Sequence, residues 1–345
     1  MSAIPQKQLG RNGPSVPRLG FGLMGLSAWT GEKLPDEERF KLLDHAVELG
    51  ETFWDTSDVY GDSEDLLGEW FKRTGKRDQI FLASKFGGPV GAASKPDSKD
   101  HKIRTDPAYV KQACQRSLDR LGVDTIDLYY VHRVDFQTPI EHTVQAMVEL
   151  KAEGKIKYLG LSEVSAKTLR RAHAVHPITA VQMEYSPYSI EIEDSTLGLL
   201  DACRELGVAV AAYSPLSKGL VTGQLRGDAD FEAKVDLRRV MPRFAAENLP
   251  TNLVLAELLQ KIAGEKGCTP AQLTLAWLLA QGDDIFPIPG TRKIKYLEEN
   301  LDSANMKLTP AELAEIRKAV EGANVAGNRY PKGMDVQLFA DTPEL

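Results

Sequence analysis

The stretch ETFWDTSDVYGDSEDLLGEWFKRTGKRDQIFLASK, residues 51–85, contains a complete unit of strand, helix and strand. Two short apolar runs, ETFWDTS at 51–57 and QIFLASK at 79–85, are typical of buried strands, and helical spacing at about 63–73 lies between them. Runs that are apolar almost throughout are typical of parallel strands covered on both faces. The stretch therefore predicts two parallel strands joined by a helix.

The same alternation continues along the whole chain. The other strand-like runs are RLGFGLM (18–24), DLYYVH (127–132), KYLGLS (157–162), TAVQMEY (179–185), VAVAAYS (208–214) and DIFPIPG (284–290). The other helical segments are one that starts at Pro35-Asp36 and stops at Gly50, then about 106–121, 139–153, 166–174, 194–206, 251–280 (broken near Thr269-Pro270), 294–302 and a last one after Thr309-Pro310. Eight strand signals, each followed by a helix, predict an α/β fold of the (β/α)₈ TIM-barrel class. We expect one domain over residues 1–345, with a C-terminal tail from about 322.

Two insertions follow predicted strands. Residues 87–102 are polar and rich in Gly, Pro and Ser, and residues 214–250 show no clear element beyond GLVTGQL. Loops after barrel strands lie at the C-terminal face, where active sites of this fold are built. Both insertions are therefore expected at that face.

Composition excludes several classes of protein. With 42 Lys+Arg and 49 Asp+Glu the formal charge is −7, and without a basic stripe we expect no nucleic-acid partner. The cysteines Cys114, Cys203 and Cys268 are far apart and odd in number, which predicts neither a disulfide framework nor a metal site. No apolar run is long enough for a membrane span, and the N-terminus lacks a signal-peptide core, so we expect a cytoplasmic protein.

The chain also contains a glycine pattern near its start. Gly20, Gly22 and Gly25 have the G-x-G-x-x-G spacing of Rossmann dinucleotide-binding turns. A Rossmann turn leads directly into a helix, whereas here no helix is expected before about residue 36. We therefore expect these glycines to end the first barrel strand and open a loop.

Four polar residues follow the second, third and fourth predicted strands. Asp55 ends the second, Tyr60 lies in the loop beyond it, Lys85 ends the third and His132 ends the fourth. Each alone has a structural alternative: a loop cap for Asp55, a packed aromatic for Tyr60, a core histidine for His132. Together they are the pattern by which this fold builds catalytic sites, from polar residues at neighbouring strand ends.

The combination is suited to proton donation. A tyrosine with an ordinary pKa of about 10 is a slow acid, and an adjacent lysine cation stabilises its phenolate and lowers that pKa. An aspartate beside the lysine keeps it charged, and a neutral histidine can orient a carbonyl oxygen. The four residues predict a site that protonates an oxygen gaining negative charge.

At these residues the chain resembles the aldo-keto reductases. FWDTSDVYG, LASKFG and YYVHRVD are similar to that family's catalytic segments, and GKIKYLGLSEVS, VQMEYSP, YSPLSKGL and IPGTRKIKYLEEN extend the resemblance over about residues 7–325. HRVD and IPGTRKIKYLEEN look most like the fungal and plant branch that includes pyridoxal-reductase-like enzymes. The resemblance implies a cytoplasmic NADPH-dependent oxidoreductase that reduces a small carbonyl substrate, aldehydes faster than ketones.

The resemblance also implies a role for each site residue. Tyr60 would donate the proton, Lys85 and Asp55 would tune it, and His132 would position the carbonyl. Tyr213 would support the nicotinamide ring of NADPH/NADP⁺, with Ser162 and Gln182 at its carboxamide. The full set expected to bind cofactor is Gly22, Leu23, Met24, Asp55, Ser162, Gln182, Tyr213, Ser214, Pro215, Leu216, Lys218, Gly219, Leu220, Gly290, Thr291, Arg292, Lys293, Tyr296, Glu299 and Asn300.

Within this set, the cations near Arg292 favour NADPH over NADH, because arginine suits a 2′-phosphate. The alternative is that Arg292, Lys293 and Lys295 form a solvated helix face. The chain also departs from the family pattern: Glu163 stands where many members have asparagine, Gly290 where many have lysine, and Tyr296 where many have arginine. The contact of that asparagine with the carboxamide is therefore not carried over to Glu163.

Two other functions stay open at this point. A Schiff-base aldolase would use Lys85 as nucleophile but needs a neutral lysine, which Asp55 opposes. A non-catalytic NADPH-sensing regulatory subunit is the second, and the presence of all four catalytic residues weighs against it. The substrate could be pyridoxal or an aromatic aldehyde. Trp29 is a candidate for the substrate pocket, and the sequence leaves the oligomeric state open.

Overall fold

The eight parallel strands lie side by side in chain order in the structure, a computed structural model that describes residues 3–28, 32–88, 103–225 and 236–345. Numbered after the two strands of an N-terminal hairpin, they are β3 (Phe21–Gly22), β4 (Phe53–Asp55), β5 (Phe81–Phe86), β6 (Ile126–Val131), β7 (Ile156–Ser162), β8 (Ala180–Glu184), β9 (Ala209–Tyr213) and β10 (Ile285–Pro287). The amides of Gly20 and Gly22 donate to the carbonyls of Pro287 (2.9 Å) and Pro289 (3.1 Å). These bonds join the first strand to the last, and the predicted (β/α)₈ fold is confirmed.

Helices surround the strands. They are α1 (Met24–Ser27), α2 (Asp36–Glu48), α3 (Ser63–Thr74), α4 (Pro107–Leu121), α5 (Ile140–Ala152), α6 (Ala166–Val175), α7 (Leu199–Leu206), α8 (Leu249–Lys266), α9 (Pro270–Leu279), α10 (Ile294–Asp302) and α11 (Pro310–Glu321). Local sequence fixes their starts: Thr309 and Glu312 form a reciprocal capping box at α11, and Thr269 forms one with Gln272 at α9. The break predicted near Thr269-Pro270 is confirmed.

The N-terminal hairpin was not predicted. Its strands β1 (Gln6–Gln8) and β2 (Ser15–Pro17) pair antiparallel, and the buried side chains of Leu9 and Val16 pack with Phe53 and other residues in the barrel interior. Strands of three residues are too short to show a period of two, which is why the pattern did not reveal them. The hairpin covers the end of the barrel opposite the polar strand ends.

Other boundaries differ from the prediction for local reasons. The first barrel strand is two residues long rather than spanning 18–24, because the single-turn helix α1 starts at Met24. The expectation of no helix before residue 36 was therefore wrong. The helix predicted over 194–206 starts only at Leu199, since Gly198 has a left-handed backbone (φ 60°) that ends the preceding turn.

The second insertion contains short 3₁₀ helices where the sequence indicated little order. They are Ser217–Thr222, Leu237–Val240 and Pro242–Phe244. Of the first insertion, residues 89–102 lie outside the described residues. In the described part of the chain, no helix is long and apolar enough to cross a membrane.

Candidate active site

The strand register brings the predicted polar residues to one rim of the barrel. Asp55 is the last residue of β4, Lys85 is the penultimate residue of β5, and His132 directly follows β6. Adjacent parallel strands are about 4.8 Å apart. Residues at their carboxyl ends therefore lie within reach of one another.

The ammonium group of Lys85 occupies the centre of this rim. Its Nζ donates to Asp55 Oδ1 (2.6 Å), the Thr56 carbonyl (2.7 Å) and Tyr60 Oη (3.3 Å), and the side chain is fully buried. Burial alone lowers the pKa of Lys85, but the Asp55 carboxylate and Tyr60 outweigh it, so that the pKa is raised. Lys85 is therefore a buried cation.

Tyr60 lies in the loop after β4, with its hydroxyl against that cation. The Tyr60 amide donates to the Ser57 carbonyl at 3.2 Å, and Gly61 continues the turn with a φ of 58°. A side chain on Gly61 would meet the Ser27 carbonyl at 2.6 Å, so only glycine fits there. Burial raises the pKa of Tyr60 and outweighs the lowering by Lys85, in contrast to the net decrease predicted from the sequence. The phenol is protonated at neutral pH.

An arginine not singled out from the sequence supports the tyrosine loop. Arg120, on α4, donates to the carbonyls of Asp58 (3.0 Å) and Gly61 (2.7 Å) and pairs with buried Glu64 at 3.0 Å. Arg120 and Tyr60 are about sixty positions apart in the chain, so no local sequence pattern could have predicted this contact. Arg120 fixes the backbone that carries the phenol.

His132 completes the group as an uncharged imidazole. Its Nδ1 lies 3.1 Å from Ser57 Oγ, and its ring meets the Tyr60 ring edge-on at 5.8 Å between centroids. Burial, followed by the positive charges of Arg133 and Lys85, lowers the pKa of His132 well below its usual value. The four residues are therefore a buried lysine–aspartate ion pair, a protonated phenol and a neutral histidine.

The amide of Gln182 connects this group to β8. Its Nε2 donates to the second carboxylate oxygen of Asp55 at 2.8 Å. Ser162, expected beside it, is buried, and its hydroxyl accepts from Arg133 at 3.1 Å. Gln182 and Ser162 are thus both held by neighbouring side chains.

A cavity of about 590 Å³ runs from the tyrosine to α10. It is lined by most of the predicted set: Gly22, Met24, Asp55, Tyr60, Gln182, Tyr213, Ser214, Pro215, Leu216, Lys218, Gly219, Gly290, Thr291, Arg292, Tyr296, Glu299 and Asn300. Residues from both ends of the sequence thus share one continuous cavity.

Four residues of the predicted cofactor-binding set do not line this cavity. Leu23, Ser162 and Leu220 are buried behind its wall, and Lys293 is exposed and stacks over the Tyr296 ring at 5.6 Å. Trp29, the substrate-pocket candidate, lies outside the described residues.

The wall of the cavity also contains residues that the sequence did not indicate. Asp236, Leu237 and Arg238 reach it from the second insertion, and Arg238 donates to the Lys218 carbonyl at 3.4 Å. Ile288 and Pro289 follow β10, and Thr269, Pro270 and Ala271 come from the start of α9. The sequence predicted a helix break near Thr269-Pro270, but only the fold places these residues beside the cavity.

The loop after β9 contains several residues with a left-handed backbone. Ser214, Ser217, Lys218 and Gly219 all have positive φ, at 49°, 52°, 54° and 98°. The amides of Ser217 and Gly219 donate back to the carbonyls of Ser214 (2.8 Å) and Leu216 (2.9 Å), so the loop is tightly turned. Strained conformations of non-glycine residues concentrate at functional sites.

The opening glycines serve close packing. A Cβ on Gly22 would lie 2.7 Å from the Ile288 carbonyl oxygen, and one on Gly290 would lie 2.5 Å from that of Gly22. Both positions require glycine because the first and last strands meet there. Gly22 therefore lines the cavity as part of the contact between two barrel strands, and the glycine spacing here does not belong to a Rossmann turn.

Comparisons with known proteins agree with this geometry. The profile of the Aldo/keto reductase family matches residues 18–321. Aldo-keto reductase str7 of Strobilurus tenacellus is 52% identical over 348 residues, and aldo-keto reductase yakc [NADP(+)] of Schizosaccharomyces pombe is 47% identical over 345; each alignment covers 99% of both chains.

Two solved structures share the fold. The glycerol dehydrogenase AKR11B4 of Gluconobacter oxydans superposes with a TM-score of 0.80 at 25% identity, over 100% of this chain and 99% of that one. A thermostable aldo-keto reductase, Tm1743, solved with the inhibitor epalrestat, gives 0.72 at 28% identity, over 91% and 99%.

The match over most of the chain identifies a carbonyl-reducing class of barrel enzyme. The chain belongs to the aldo/keto reductase family and is an oxidoreductase, and the family uses NADP(H).

The neutral state of His132 can be measured directly. We expect the ring proton resonances of His132, assigned by their loss in His132→Gln, to stay unchanged between pH 8 and 5.5, because burial holds the pKa well below the usual value. The unfolded chain in urea is the control, in which histidine titrates near pH 6.5. A His132 titration midpoint between pH 6 and 7 in the folded protein would contradict the neutral assignment.

Proposed function

We propose that this protein reduces aldehydes, and more slowly ketones, to alcohols with NADPH, and that Tyr60 is the proton donor. The observation that carries the proposal is the position of Lys85 Nζ, between Asp55 at 2.6 Å and the Tyr60 hydroxyl at 3.3 Å. Few functions other than proton transfer require a buried cation in contact with a buried phenol.

Each residue of the group has a separate task in this mechanism. Tyr60 enters as a protonated phenol and transfers its proton to the carbonyl oxygen as negative charge develops there. Lys85 stabilises the phenolate that remains, and Asp55 keeps the lysine charged and aimed. His132, neutral, can donate a hydrogen bond to the carbonyl oxygen and so orient the substrate.

NADPH, when bound, supplies the hydride that reaches the carbonyl carbon. Tyr213 would support the nicotinamide ring. Gln182 would contact the carboxamide of the nicotinamide through those polar groups of its side chain that are not hydrogen-bonded to Asp55. The loop from Ser214 to Leu220, which contributes most of its residues to the cavity wall, would bind the phosphates, and residues 290–300 would hold the adenosine end. The fit of the cavity to the cofactor rests on this lining, which extends from Asp55 and Tyr60 at the polar rim to Arg292 and α10.

The substrate proposed is a small carbonyl compound, with aromatic and pyridine aldehydes, pyridoxal among them, as the first class to test. Support for this substrate class comes from the sequence likeness to the pyridoxal-reductase-like branch, whereas the name of the yakc relative, which carries NADP(+), supports the cofactor. The glycerol dehydrogenase relative shows that the same fold also acts on an alcohol.

The geometry of the site gives less support to the two other functions, a Schiff-base aldolase and a regulatory subunit. A Schiff-base aldolase needs an uncharged lysine, but the Lys85 amine is hydrogen-bonded to three oxygens and its pKa is raised. Borohydride trapping of an adduct on Lys85 would support it. A regulatory subunit would bind NADPH tightly without turnover across a broad aldehyde panel.

The proton-donor role is tested by Tyr60→Phe. NADPH oxidation at 340 nm against a panel of aldehydes should show a kcat lower by about 10²- to 10⁴-fold, the usual contribution of a general acid. NADPH affinity should be largely retained, because only the hydroxyl is removed. The matched control is Tyr158→Phe, on β7 and remote from the rim, which should keep full activity. Undiminished turnover by Tyr60→Phe would refute the assignment.

The cofactor preference is tested at the adenosine end. Arg292 lines the cavity and Lys293, the next residue, does not. We expect Arg292→Ala to raise the KM for NADPH about tenfold and leave the KM for NADH nearly unchanged, since a charge-assisted phosphate contact contributes roughly 1.5 kcal/mol or more. Lys293→Ala is the control and should change neither value. Equal increases for both cofactors in Arg292→Ala would contradict a 2′-phosphate contact.

A further inference from the structure

The C-terminal tail, residues 322–345, returns to the polar rim of the barrel. Ala340 forms a parallel bridge with Val164, its amide donates to the Glu163 carbonyl at 2.8 Å, and its carbonyl accepts from the Ser165 amide at 3.0 Å. The family profile stops at residue 321, so these contacts come from a segment beyond it. The tail is thereby fixed at the end of β7.

Arg329 carries the tail into the wall of the site. Its Nη2 donates to Glu163 Oε1 (2.5 Å) and to Tyr213 Oη (3.0 Å), and its Nε donates to Glu184 Oε2 (2.9 Å). Arg329 is 6% exposed, and Glu163 and Glu184 are 1% and 2% exposed. One buried guanidinium therefore bridges the ends of β7, β8 and β9.

The two carboxylates differ in how many cations they contact. Glu184 also pairs with Lys218 at 2.8 Å, whereas within the described part of the chain Arg329 is the one cation within 4.0 Å of Glu163. Arg133 lies nearby, but its guanidinium donates to the His132 carbonyl and the Ser162 hydroxyl. Loss of Arg329 would leave the Glu163 carboxylate buried without an ion pair.

Glu163 is in direct contact with the residue proposed to support the nicotinamide. The Tyr213 hydroxyl donates to Glu163 Oε1 at 2.7 Å, and it lies 3.1 Å from the Tyr330 hydroxyl. Glu163 itself has a left-handed backbone (φ 51°), and its carbonyl accepts the hydrogen bond from Ala340 of the tail. A change in the charge of Glu163 is therefore a change beside the nicotinamide position.

The two redox forms of the cofactor differ in charge at that position. The oxidised nicotinamide ring carries one positive charge and the reduced ring carries none. A neighbouring carboxylate without another counter-ion favours the oxidised ring, because that ring then supplies the positive charge that a buried carboxylate requires. An ion-paired carboxylate has a much smaller effect.

We propose that Arg329 is a positioning and specificity-determining residue: by pairing with Glu163 it holds Tyr213 in place and keeps the site wall neutral, so that NADP⁺ is not favoured over NADPH. The inference rests on the proposed function, because it requires the nicotinamide to lie at Tyr213. It assigns a role to Glu163, the residue that departs from the family's usual asparagine, and to the tail that accompanies it.

The test compares dissociation constants for NADPH and NADP⁺, measured by quenching of protein fluorescence. Arg329→Met should raise the ratio Kd(NADPH)/Kd(NADP⁺) about tenfold, because an unpaired carboxylate favours the oxidised ring. Glu163→Gln should lower the ratio by a similar factor, since it leaves an excess positive charge. The double variant should return it to near the wild-type value. Arg329→Lys, which retains the charge, should keep the wild-type ratio.

A purely structural role for Arg329 predicts a different pattern. Both forms would then weaken equally in Arg329→Met, and Glu163→Gln would not move the ratio; either result overturns the proposal. If Arg329→Met does not fold, Glu163→Gln alone tests the proposal, and a lower Kd(NADPH)/Kd(NADP⁺) ratio in that variant would support it. Failure of the wild-type protein to bind either form would instead refute the proposed function, so the two failures are distinguishable.

Discussion

The ammonium group of Lys85, fully buried at the centre of the barrel rim, is the constraint on which the rest of the site depends. A charge removed from water is tolerated only when it is paired and hydrogen-bonded. Asp55, the Thr56 carbonyl and the Tyr60 hydroxyl provide those contacts, and all three come from the end of β4 and the loop after it. The backbone of that loop must therefore be fixed, and Arg120 fixes it from outside the barrel.

From this ion pair, hydrogen bonds continue around the rim. Asp55 accepts from Gln182 on β8, and at the neighbouring strand ends Tyr213 contacts Glu163, which pairs with Arg329 of the tail. Glu184 joins the same tail arginine to Lys218 in the proposed phosphate loop, and the two cations hold its pKa at about 2. The lysine–aspartate pair, the proposed phosphate loop and the tail thus belong to one buried polar layer over an apolar barrel.

Those features of the fold and the site that depend on local sequence patterns could be predicted from the sequence. Continuous apolar runs marked the strands, and in a parallel barrel the polar residue that ends such a run must point to a shared rim, so Asp55, Lys85 and His132 could be placed together. The helix break near Thr269-Pro270 and the helix start at Thr309-Pro310 could be predicted because helix starts are determined by local contacts.

The remainder depends on contacts between distant parts of the chain. The N-terminal hairpin has strands too short for periodicity, and Arg120, Arg238 and Arg329 meet their partners only in the folded protein. The pKa of Tyr60 was predicted in the wrong direction because the sequence shows its lysine neighbour but not the depth of its burial. Glu163 was noted as a departure from the family pattern, but its counter-ion lies 166 positions away.

We propose that the charge of Lys85 drives proton donation by Tyr60. The most direct test of this proposal is the rate of a single turnover, with preformed enzyme–NADPH complex mixed with aldehyde and followed at 340 nm, in wild type and in Lys85→Met. We expect a rate at least about 100-fold lower in the variant, with NADPH affinity changed far less, because a general acid deprived of its activating charge loses most of its contribution. A single-turnover rate within twofold of wild type would contradict it.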